Sequence, residues 1–506
     1  MTEREPEYSV TTASGAGGPA KAVPAGAAPA PNLDSVTTIN SDGSRRFIHP
    51  ADVGGRFTTW RRLSAYALIL VYLSLPWIPV GGYPAVFLDL AQRRFHFFGW
   101  ILSAQDAWLL FFLFAGLGFT LFLLTALLGR LWCGWACPQT VFLDHVYRRI
   151  ERWIEGDARA RRALDSAPWS KGKFLRRGAK QLLFALVSLV IAHLFLAYFV
   201  SLPALGGMML SRPGEHWAAF VFVFVFAGIL HFNYAWFREQ LCIVICPYGR
   251  LQSALVDEHT LNIGYDSRRG EPRGRRGTPG AADCVACNRC VQVCPTGIDI
   301  RQGLQMECIG CAACVDACNE VMTRVHKPRG LIRYDSLAGL AGGRTRWLRP
   351  RIYVYAALLL AGAVVAGYAF STVKPAGLSV VRITGAPYFV DAASVRNQFF
   401  VRIVNKRPAA VGFSVTVEAA MPGLTRLGLT EPVAVAGLQE LVAPLVLVVA
   451  RPQYAGPFPF TVRVRDAGGT FTLERRGEFL GPEARLLREE ETESLRAGHD
   501  RSPAKR

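Results

Sequence analysis

The chain has no cysteine after Cys318, so the last third of its 506 residues contains no thiol. This absence excludes a disulfide from that region, including the bridge that joins the two sheets of antibody domains. A region without thiols suits an oxidising compartment, whereas thiols that must stay reduced need a reducing one. The cysteine distribution therefore predicts that the two parts of the chain face different compartments.

Acidic residues are also scarce. The chain has 57 Lys and Arg against 38 Asp and Glu, which gives a formal net charge of +19. An excess of this size is typical of nucleic-acid-binding proteins, but no nucleic-acid-reading motif accompanies it. The basic residues lie instead beside long apolar stretches, where positive charge sets the orientation of membrane proteins. We expect no nucleic-acid partner.

Long apolar stretches, in contrast, are abundant. Hydrophobic residues make up 51% of the sequence. Five stretches approach the roughly 20 residues that a helix needs to cross a hydrocarbon core of about 30 Å. They predict a polytopic α-helical membrane protein with about five transmembrane helices, at residues 63–80, 107–128, 181–201, 217–237 and 352–370.

Loop charge predicts how these helices are oriented. Basic residues crowd the segment before the first stretch and the loops between the second and third and between the fourth and fifth. Because such loops stay on the cytoplasmic side, we expect the N-terminus inside and, after five crossings, the C-terminus outside. The C-terminal region is therefore expected on the side of the membrane opposite the basic loops.

A different periodicity follows the fifth stretch. From about residue 378 to residue 479, short runs alternate apolar and polar residues, with turn residues such as Met421-Pro422-Gly423 between them. Strands of period two at this spacing predict an antiparallel β-sandwich. The first 45 residues are rich in Ala, Gly and Pro, and are expected to be a disordered tail.

Eight cysteines form two copies of one ligand pattern. They are Cys284, Cys287, Cys290 and Cys294, then Cys308, Cys311, Cys314 and Cys318, with Pro295 after the first run. In bacterial two-cluster ferredoxins three cysteines of a run hold one [4Fe–4S] cube and the fourth ligates the other cube. We therefore predict that Cys318 completes the first cluster and Cys294 the second. The alternative is a pair of zinc sites, which use two C-x-x-C knuckles for each metal.

The other four cysteines form two matching pairs. Each pair ends an apolar stretch and is followed by proline: Cys133 and Cys137 before Pro138, and Cys242 and Cys246 before Pro247. Cysteines four apart share one face of a helix, and two facing pairs would form a soft site that favours Cu(I). Arg130, Arg238 and Arg250 would lower the thiol pKa there if they point inward. The alternative is that these cysteines are small buried hydrophobes, but their duplication favours a metal or redox role.

The sequence shows no further cofactor motif. It has no flavin or nicotinamide fingerprint and no C-x-x-C-H for c-type haem, so the electrons are expected to come from an unidentified partner or a quinol. His193 and His231 lie within apolar stretches, where ionisable groups are often functional. The two histidines lie at different depths in the membrane, whereas two histidines that bind one haem would lie at matching depths. We therefore expect them to be core histidines and not a haem site.

These motifs together resemble the CcoG/FixG/RdxA family of cytochrome c oxidase accessory proteins, which are membrane-bound polyferredoxins. The resemblance covers most of the chain after about Arg45 and includes the segments 133–140, 242–252, 294–300, 307–311 and 328–334. It implies that the C-terminal sandwich is the Ig-like domain of this family. The predicted domains are a cytoplasmic tail (1–45), helices one to four (46–240), a cytoplasmic two-cluster ferredoxin-like domain (241–350), helix five (351–371), a periplasmic Ig-like sandwich (372–485) and a charged tail (486–506).

The resemblance also implies a function. It points to a cupric reductase that converts Cu(II) to Cu(I) for assembly of the cbb(3)-type oxidase, with copper chaperones or assembly factors as partners. Cys133, Cys137, Cys242 and Cys246 would handle the copper, and the other eight cysteines would carry the clusters. Two alternatives stay open: a NapH-like quinol dehydrogenase, and a non-catalytic scaffold that senses redox state. A homodimer also stays open.

Overall fold

A computed structural model of the chain describes residues 45, 47–91, 93–103, 106, 108–275, 277–407, 409–429, 432–487 and 489. The predicted disordered tail therefore lies outside the described residues, apart from Arg45. Most of the predicted charged tail lies outside them as well.

Among the described residues, four helices are long and apolar enough to cross a membrane. They are Leu109–Leu128, Lys171–Leu196, Trp217–Phe237 and Pro350–Ser371, and each overlaps a predicted span. At most 28% of the apolar window of any of them is buried. Helices that expose so much apolar surface need lipid around them, so the polytopic membrane fold is confirmed.

The first predicted span is the exception. Its helix, Arg56–Ser74, begins among the arginines that precede the apolar stretch and ends short of Val80. Pro76 lies in the short 3-10 turn Leu75–Trp77 that follows, and a proline disfavours helical backbone in the residue before it. The predicted limits of residues 63–80 are therefore wrong. Only about 12 helical residues follow Arg62, or about 18 Å of helix.

Residues 79–103 form short strands that the periodicity did not predict. Pro79–Val80 pairs with Tyr83–Pro84 across a two-residue turn, in which Gly81 and Gly82 both have positive φ. Turns of this kind favour glycine because other residues rarely adopt that backbone. The neighbouring antiparallel sheet consists of Val86–Asp89, Arg94–Phe97 and Trp100–Ser103.

The chain divides into two compact units. The first takes residues from Met1–Ala65, Leu124–Gln181 and Phe232–Trp347, and it contains all twelve cysteines. The second takes residues from Tyr66–Leu123, Leu182–His231 and Leu348–Arg506.

In the first unit, short helices surround one small sheet. The two strands Asn262–Tyr265 and Ile332–Asp335 pair antiparallel and flank the predicted cluster segment. The helices are Leu131–Trp135, Pro138–Phe142, Leu143–Tyr147 (a π-helix), Arg148–Glu155, Ala158–Ser166, Leu241–Ile245 (a π-helix), Pro247–Leu255, Ser267–Gly270, Arg289–Gln292, Ile300–Gln302 (3-10), Ala313–Arg324 and Leu337–Leu340. The hydrophobic core of this unit forms around Ile263, Ile300, Met322 and Ile332.

In the second unit, the C-terminal region is a sandwich of two antiparallel sheets, as predicted. One sheet has the strands Ala376–Arg382, Phe389–Val390, Ser394–Asn405, Thr425–Leu427 and Glu440–Ala450, and the other has Val411–Ala419, Val433–Val435, Phe458–Asp466 and Thr472–Phe479. Alternate residues of both sheets point inward and form the core, where the rings of Phe399 and Phe460 meet edge to face with centroids 5.0 Å apart. The helix Leu202–Leu210 also belongs to this unit.

Candidate metal centres

The two cysteine runs of the ferredoxin-like segment fold into matching loops. In the first run Ala286 and Asn288 have left-handed backbone, and in the second run Gly310 and Ala312 occupy the equivalent positions with the same conformation. Left-handed backbone is rare for alanine, so its recurrence shows that both loops are held in one curled shape. The curl brings three cysteines of a run toward one centre before the helices Arg289–Gln292 and Ala313–Arg324 continue the chain.

The first set of four thiols lines a single small cavity. Cys284, Cys287, Cys290 and Cys318 all face it, and no carboxylate or imidazole is among the described residues that line it. Burial, together with the nearby Cys290, Cys287 and Cys284, raises the pKa of Cys318 to about 12. The fourth cysteine of the second run therefore lies beside the first three of the first run, which is the crossed arrangement that the spacing predicted.

The second set of four thiols is grouped in the same way as the first. Burial raises the pKa of Cys308 to about 12, with added contributions from Cys311 and Cys294. Burial also raises the pKa of Cys314, with smaller contributions from Cys311, Cys308, Cys294 and Cys290. Four soft sulfur donors grouped in this way fit a [4Fe–4S] cube. Iron binding would also offset the burial that otherwise keeps such thiols protonated.

Single-ion sites are not preformed in this structure. Among the described residues, no three Cys, His, Asp or Glu side chains lie close enough to hold one metal ion. Neither cysteine set is therefore a ready-made zinc site, because the four ligands of zinc converge on one ion at about 2.3 Å.

The Cys–Pro pairs lie at helix breaks and not on a continuous helix. Cys133 is in the helix Leu131–Trp135, while Cys137 has extended backbone and caps the helix that starts at Pro138. Cys242 and Cys246 repeat this arrangement, with Cys246 extended before Pro247. The expectation that each pair shares one helix face is therefore wrong. A proline disfavours helical backbone in the residue before it, and the second cysteine of each pair accordingly has extended backbone and caps the next helix.

The structure nevertheless brings all four of these thiols together. The charge of Cys133 interacts with those of Cys137 and Cys246, and the charge of Cys242 interacts with those of the other three. We call this group the thiol cluster. The alternative of four scattered buried hydrophobes does not fit such convergence.

The pKa values of Cys133 and Cys242 in the thiol cluster are raised, whereas the sequence predicted that nearby arginines would lower them. Burial raises the pKa of Cys133 to about 11 and that of Cys242 to about 12, and Arg130 lowers both by less than burial raises them. Arg238 does not act as expected, because it is fully buried in an ion pair with Glu151 at 3.0 Å. The side chain of Arg250 lies outside the described part of the chain.

The thiol cluster lies against the second cluster loop. The indole N–H of Trp135, between the two cysteines of its motif, donates to the backbone oxygen of Gly310 at 3.3 Å. Gly134 lies so close to the same loop that a Cβ on it would come within 2.5 Å of the carbonyl oxygen of Ile309. Cys133 packs against the buried group that contains Cys311. The thiol cluster therefore lies beside the predicted second iron–sulfur cluster, within the first unit.

Comparisons with known proteins support the iron–sulfur and Ig-like domain assignments. Residues 237–337 match the family described as "4Fe-4S dicluster domain", residues 108–157 match "4Fe-4S binding domain", and residues 366–482 match "IG-like fold at C-terminal of FixG". The nitrogen fixation protein FixG of Rhizobium meliloti is 36% identical over 75% of this chain and 80% of its own length. Protein RdxA of Cereibacter sphaeroides is 36% identical over 76% of this chain and 89% of its own length.

The chain belongs to the FixG/RdxA family. The iron–sulfur prediction and the Ig-like prediction are thereby confirmed, whereas the ligand assigned to each cluster stays a prediction. A weaker match is to the ferredoxin-type protein NapH of Haemophilus influenzae, which is 26% identical over 52% of this chain and 88% of its own length. The 4Fe-4S binding domain match at residues 108–157 contains only two cysteines, Cys133 and Cys137.

Sequence reasoning missed two residues of this FixG/RdxA site. Gln252 is fully buried, and its side-chain amide donates to the sulfur of Cys133 at 3.3 Å. Its carbonyl oxygen accepts from the guanidinium of Arg130. The second residue is Gly134. The signals were present, since Gln252 follows the second Cys–Pro motif within the helix Pro247–Leu255, and Gly134 is inside the first motif.

The side chain of His193 lies close to the backbone of its own helix. The Nδ1 of His193 lies 2.8 Å from the carbonyl oxygen of Leu189, one turn earlier in its own helix. This local hydrogen bond is typical of a histidine satisfied within a helix. This contact is compatible with a core histidine, and the expectation for His193 and His231 stays a prediction.

Proposed function

We propose that this protein is a membrane-bound iron–sulfur electron-transfer protein that reduces Cu(II) to Cu(I) for assembly of a cbb(3)-type oxidase. The observation that carries the proposal is the meeting of four thiols, from two separate Cys–Pro motifs, beside the loop of the second cysteine set. Thiolates favour Cu(I) over harder ions, so a site made of them holds the reduced product better than the oxidised substrate.

The resident clusters, when bound, supply one electron at a time at low potential. The thiol cluster binds the copper ion, which accepts that one electron and changes from Cu(II) to Cu(I). Among the described residues, no three such side chains are already grouped to hold one metal ion, so we infer that copper binding brings the thiols closer together. The breaks at Pro138 and Pro247 allow this, since each places a cysteine on a short non-helical segment.

Two neighbouring side chains orient the thiol cluster. Gln252 fixes the sulfur of Cys133 through its amide and is itself held by Arg130. Arg130 also donates to the carbonyl oxygen of Gly249 at 2.5 Å, which ties the two motifs to each other. Groups of this kind keep metal ligands in position and tune their basicity.

The cellular setting is part of the proposal. We infer a location in the bacterial inner membrane, with the N-terminus and clusters in the cytoplasm and the Ig-like sandwich in the periplasm. The charge of the loops and the absence of cysteine after Cys318 support it. Copper chaperones or assembly factors of the oxidase would deliver and receive the copper.

Single-turnover reduction tests the activity. Purified full-length protein is reduced with dithionite, freed of excess reductant, and mixed anaerobically with Cu(II) and a Cu(I)-specific chelator. We expect the clusters to reoxidise as Cu(I) forms in equal electron equivalents. Replacement of all four cysteines of the thiol cluster by Ala should abolish this reaction and leave the absorbance of the iron–sulfur clusters unchanged.

Val141→Ala is a matched control, because Val141 is buried nearby and carries no soft donor. Unchanged copper kinetics in the four-Ala variant would remove the thiol cluster from the mechanism.

A quinol dehydrogenase is the second candidate, and the similarity to NapH favours it. In that case the reduced clusters would ignore Cu(II) in the same experiment and would be oxidised by a soluble quinone analogue. This pattern would contradict the cupric reductase proposal.

A further inference from the structure

A cleft rich in arginine opens beside the second cysteine set. Its volume is about 110 Å³, and all its lining residues belong to the first unit. Six arginines line it, against the carboxylates of Asp52 and Asp144; they are Arg61, Arg62, Arg148, Arg149, Arg152 and Arg161. We call this feature the arginine cleft.

The carboxylates nearby do not neutralise the arginine cleft. Asp144 is shared between Arg61 and Arg148, and Asp52 pairs with Arg152. Arg148 also pairs with Glu239, and Arg161 pairs with Glu151. These four carboxylates are fewer than the six arginines. Arg149 takes part in none of the ion pairs recorded among the described residues, and it is half-buried at the cleft wall. The cleft therefore presents net positive charge to whatever approaches it.

The wall of the arginine cleft is formed by the cluster loops. Cys311 and Ala313 of the second run line it, together with Val293 and Pro295 of the first. Arg148 donates to the carbonyl oxygen of Pro295 at 2.9 Å, and Arg61 donates to that of Gly134 at 2.6 Å. A group held in the cleft would therefore lie close to Cys311, a predicted ligand of the second cluster. Electron transfer needs such a short separation between donor and acceptor.

The size of the cleft restricts the occupant. Sites that enclose a cofactor or other small organic molecule have volumes of about 300–1,000 Å³, so a cleft of about 110 Å³ is too small to enclose a flavin or nicotinamide nucleotide. It is large enough to receive carboxylate side chains from a protein surface. Complementary charge at such a surface steers association and raises its rate.

We propose that the arginine cleft is the electron-entry site, at which an acidic electron-carrier protein docks and reduces the second cluster. One electron passes from the reduced carrier to the cluster, so that the carrier is oxidised and the cluster reduced in equal amounts. This inference rests on the electron-transfer part of the proposed function and does not depend on copper as the final acceptor.

The test uses full-length protein with both clusters loaded, in nanodiscs of phosphatidylcholine, and reduced flavodoxin as an acidic carrier. Stopped-flow absorbance follows cluster reduction as a function of salt. We expect Arg149→Glu to slow reduction about tenfold at low salt, with the difference shrinking as salt screens the charge. Arg275→Glu is the matched control: it makes the same charge change at an exposed arginine outside the cleft, and its rate should change less than twofold.

Other readouts keep the interpretation unambiguous. Reduction by the methyl viologen radical, a small cation, should be no slower in Arg149→Glu than in wild type, which would show that the clusters are intact. The viologen-reduced variant should still reduce Cu(II), so failure of this inference is distinguishable from failure of the proposed function. Equal flavodoxin rates in Arg149→Glu and wild type would overturn the proposal. If the flavodoxin rates are equal and Arg149→Glu also loses binding to phosphatidylglycerol vesicles, the cleft is a lipid headgroup site and the proposal is likewise overturned.

Discussion

At the scale of single residues, Gly134 shows how closely the thiol cluster and the second cluster loop are joined. Its Cβ position is blocked by backbone atoms, 2.5 Å from the oxygen of Ile309 and 2.9 Å from the nitrogen of Cys311. Backbone atoms of a ligand loop cannot move aside without moving the ligands. The spacing C-x-x-x-C alone did not predict this constraint, because it depends on which loop packs against the motif.

Gly134→Ala should therefore damage the cluster region although it adds only one methyl group. We expect a loss of roughly 1–3 kcal/mol in stability from overpacking, with iron lost from the second cluster. Gly178→Ala is the control, since no atom lies within 4 Å of its Cβ position in the helix Lys171–Leu196. Thermal unfolding and iron content of the purified variants measure both effects. Equal iron content and equal stability in the two variants would show that the close approach is unimportant.

Gln252 offers a second test at this scale. Gln252→Leu keeps the volume but removes the amide that donates to Cys133, and we expect copper affinity to fall by about 10–100-fold, as for other groups that orient metal ligands. Cluster absorbance should persist. Gln139→Leu is the control, because Gln139 is also a buried glutamine but bonds to Asn233 and the backbone of Arg238. A titration with Cu(I) against a competing chelator measures the affinity, and equal affinities in the two variants would refute the role of Gln252.

At the scale of elements, proline decides where the sequence-based description fails. The sequence correctly placed four membrane helices, because apolar length alone determines them. It misjudged the ends of the first helix and the helicity of both cysteine pairs. Cys137 and Cys246, each before a proline, have extended backbone, and the first α-helix gives way after Ser74 to a 3-10 turn that contains Pro76. A window of apolar residues carries no information about such breaks.

The short first helix makes the number of crossings testable. The proposed orientation requires five crossings, and the helix Arg56–Ser74 is the one whose apolar part is too short to cross unaided. We expect alkaline phosphatase fused after residue 485 to be active, because it would then lie in the periplasm, and green fluorescent protein at the same position to be dark. The same reporters placed after Gly82 should also report the periplasm. An inactive phosphatase at both positions would mean that the first helix does not cross.

At the scale of the whole molecule, the cysteine distribution was the most informative part of the sequence. It predicted the iron–sulfur segment, which the family match confirms, and it separated the thiol-free Ig-like sandwich from the rest. It could not predict that two motifs more than 100 residues apart, Cys133 and Cys242 among them, meet in one place. Such long-range contacts depend on packing of the first unit, which no local pattern encodes.

Crossed ligation is testable through iron content. If Cys294 and Cys311 serve the same cluster, the double variant Cys294→Ser with Cys311→Ser should lose about four iron atoms of about eight. Cys294→Ser with Cys287→Ser should lose iron from both clusters. Uncrossed ligation predicts the reverse pattern, so the two double variants, compared by iron analysis and electron paramagnetic resonance after reconstitution, control for each other.

X-ray absorption at the copper edge tests the central claim most directly, namely that the thiol cluster holds the reduced copper. Full-length reduced protein is loaded with one equivalent of copper under anaerobic conditions. We expect a Cu(I) edge and a shell of sulfur neighbours that disappears when the four cysteines of the thiol cluster are replaced by Ala. A shell of only nitrogen and oxygen neighbours, or a sulfur shell that survives the replacement, would contradict it.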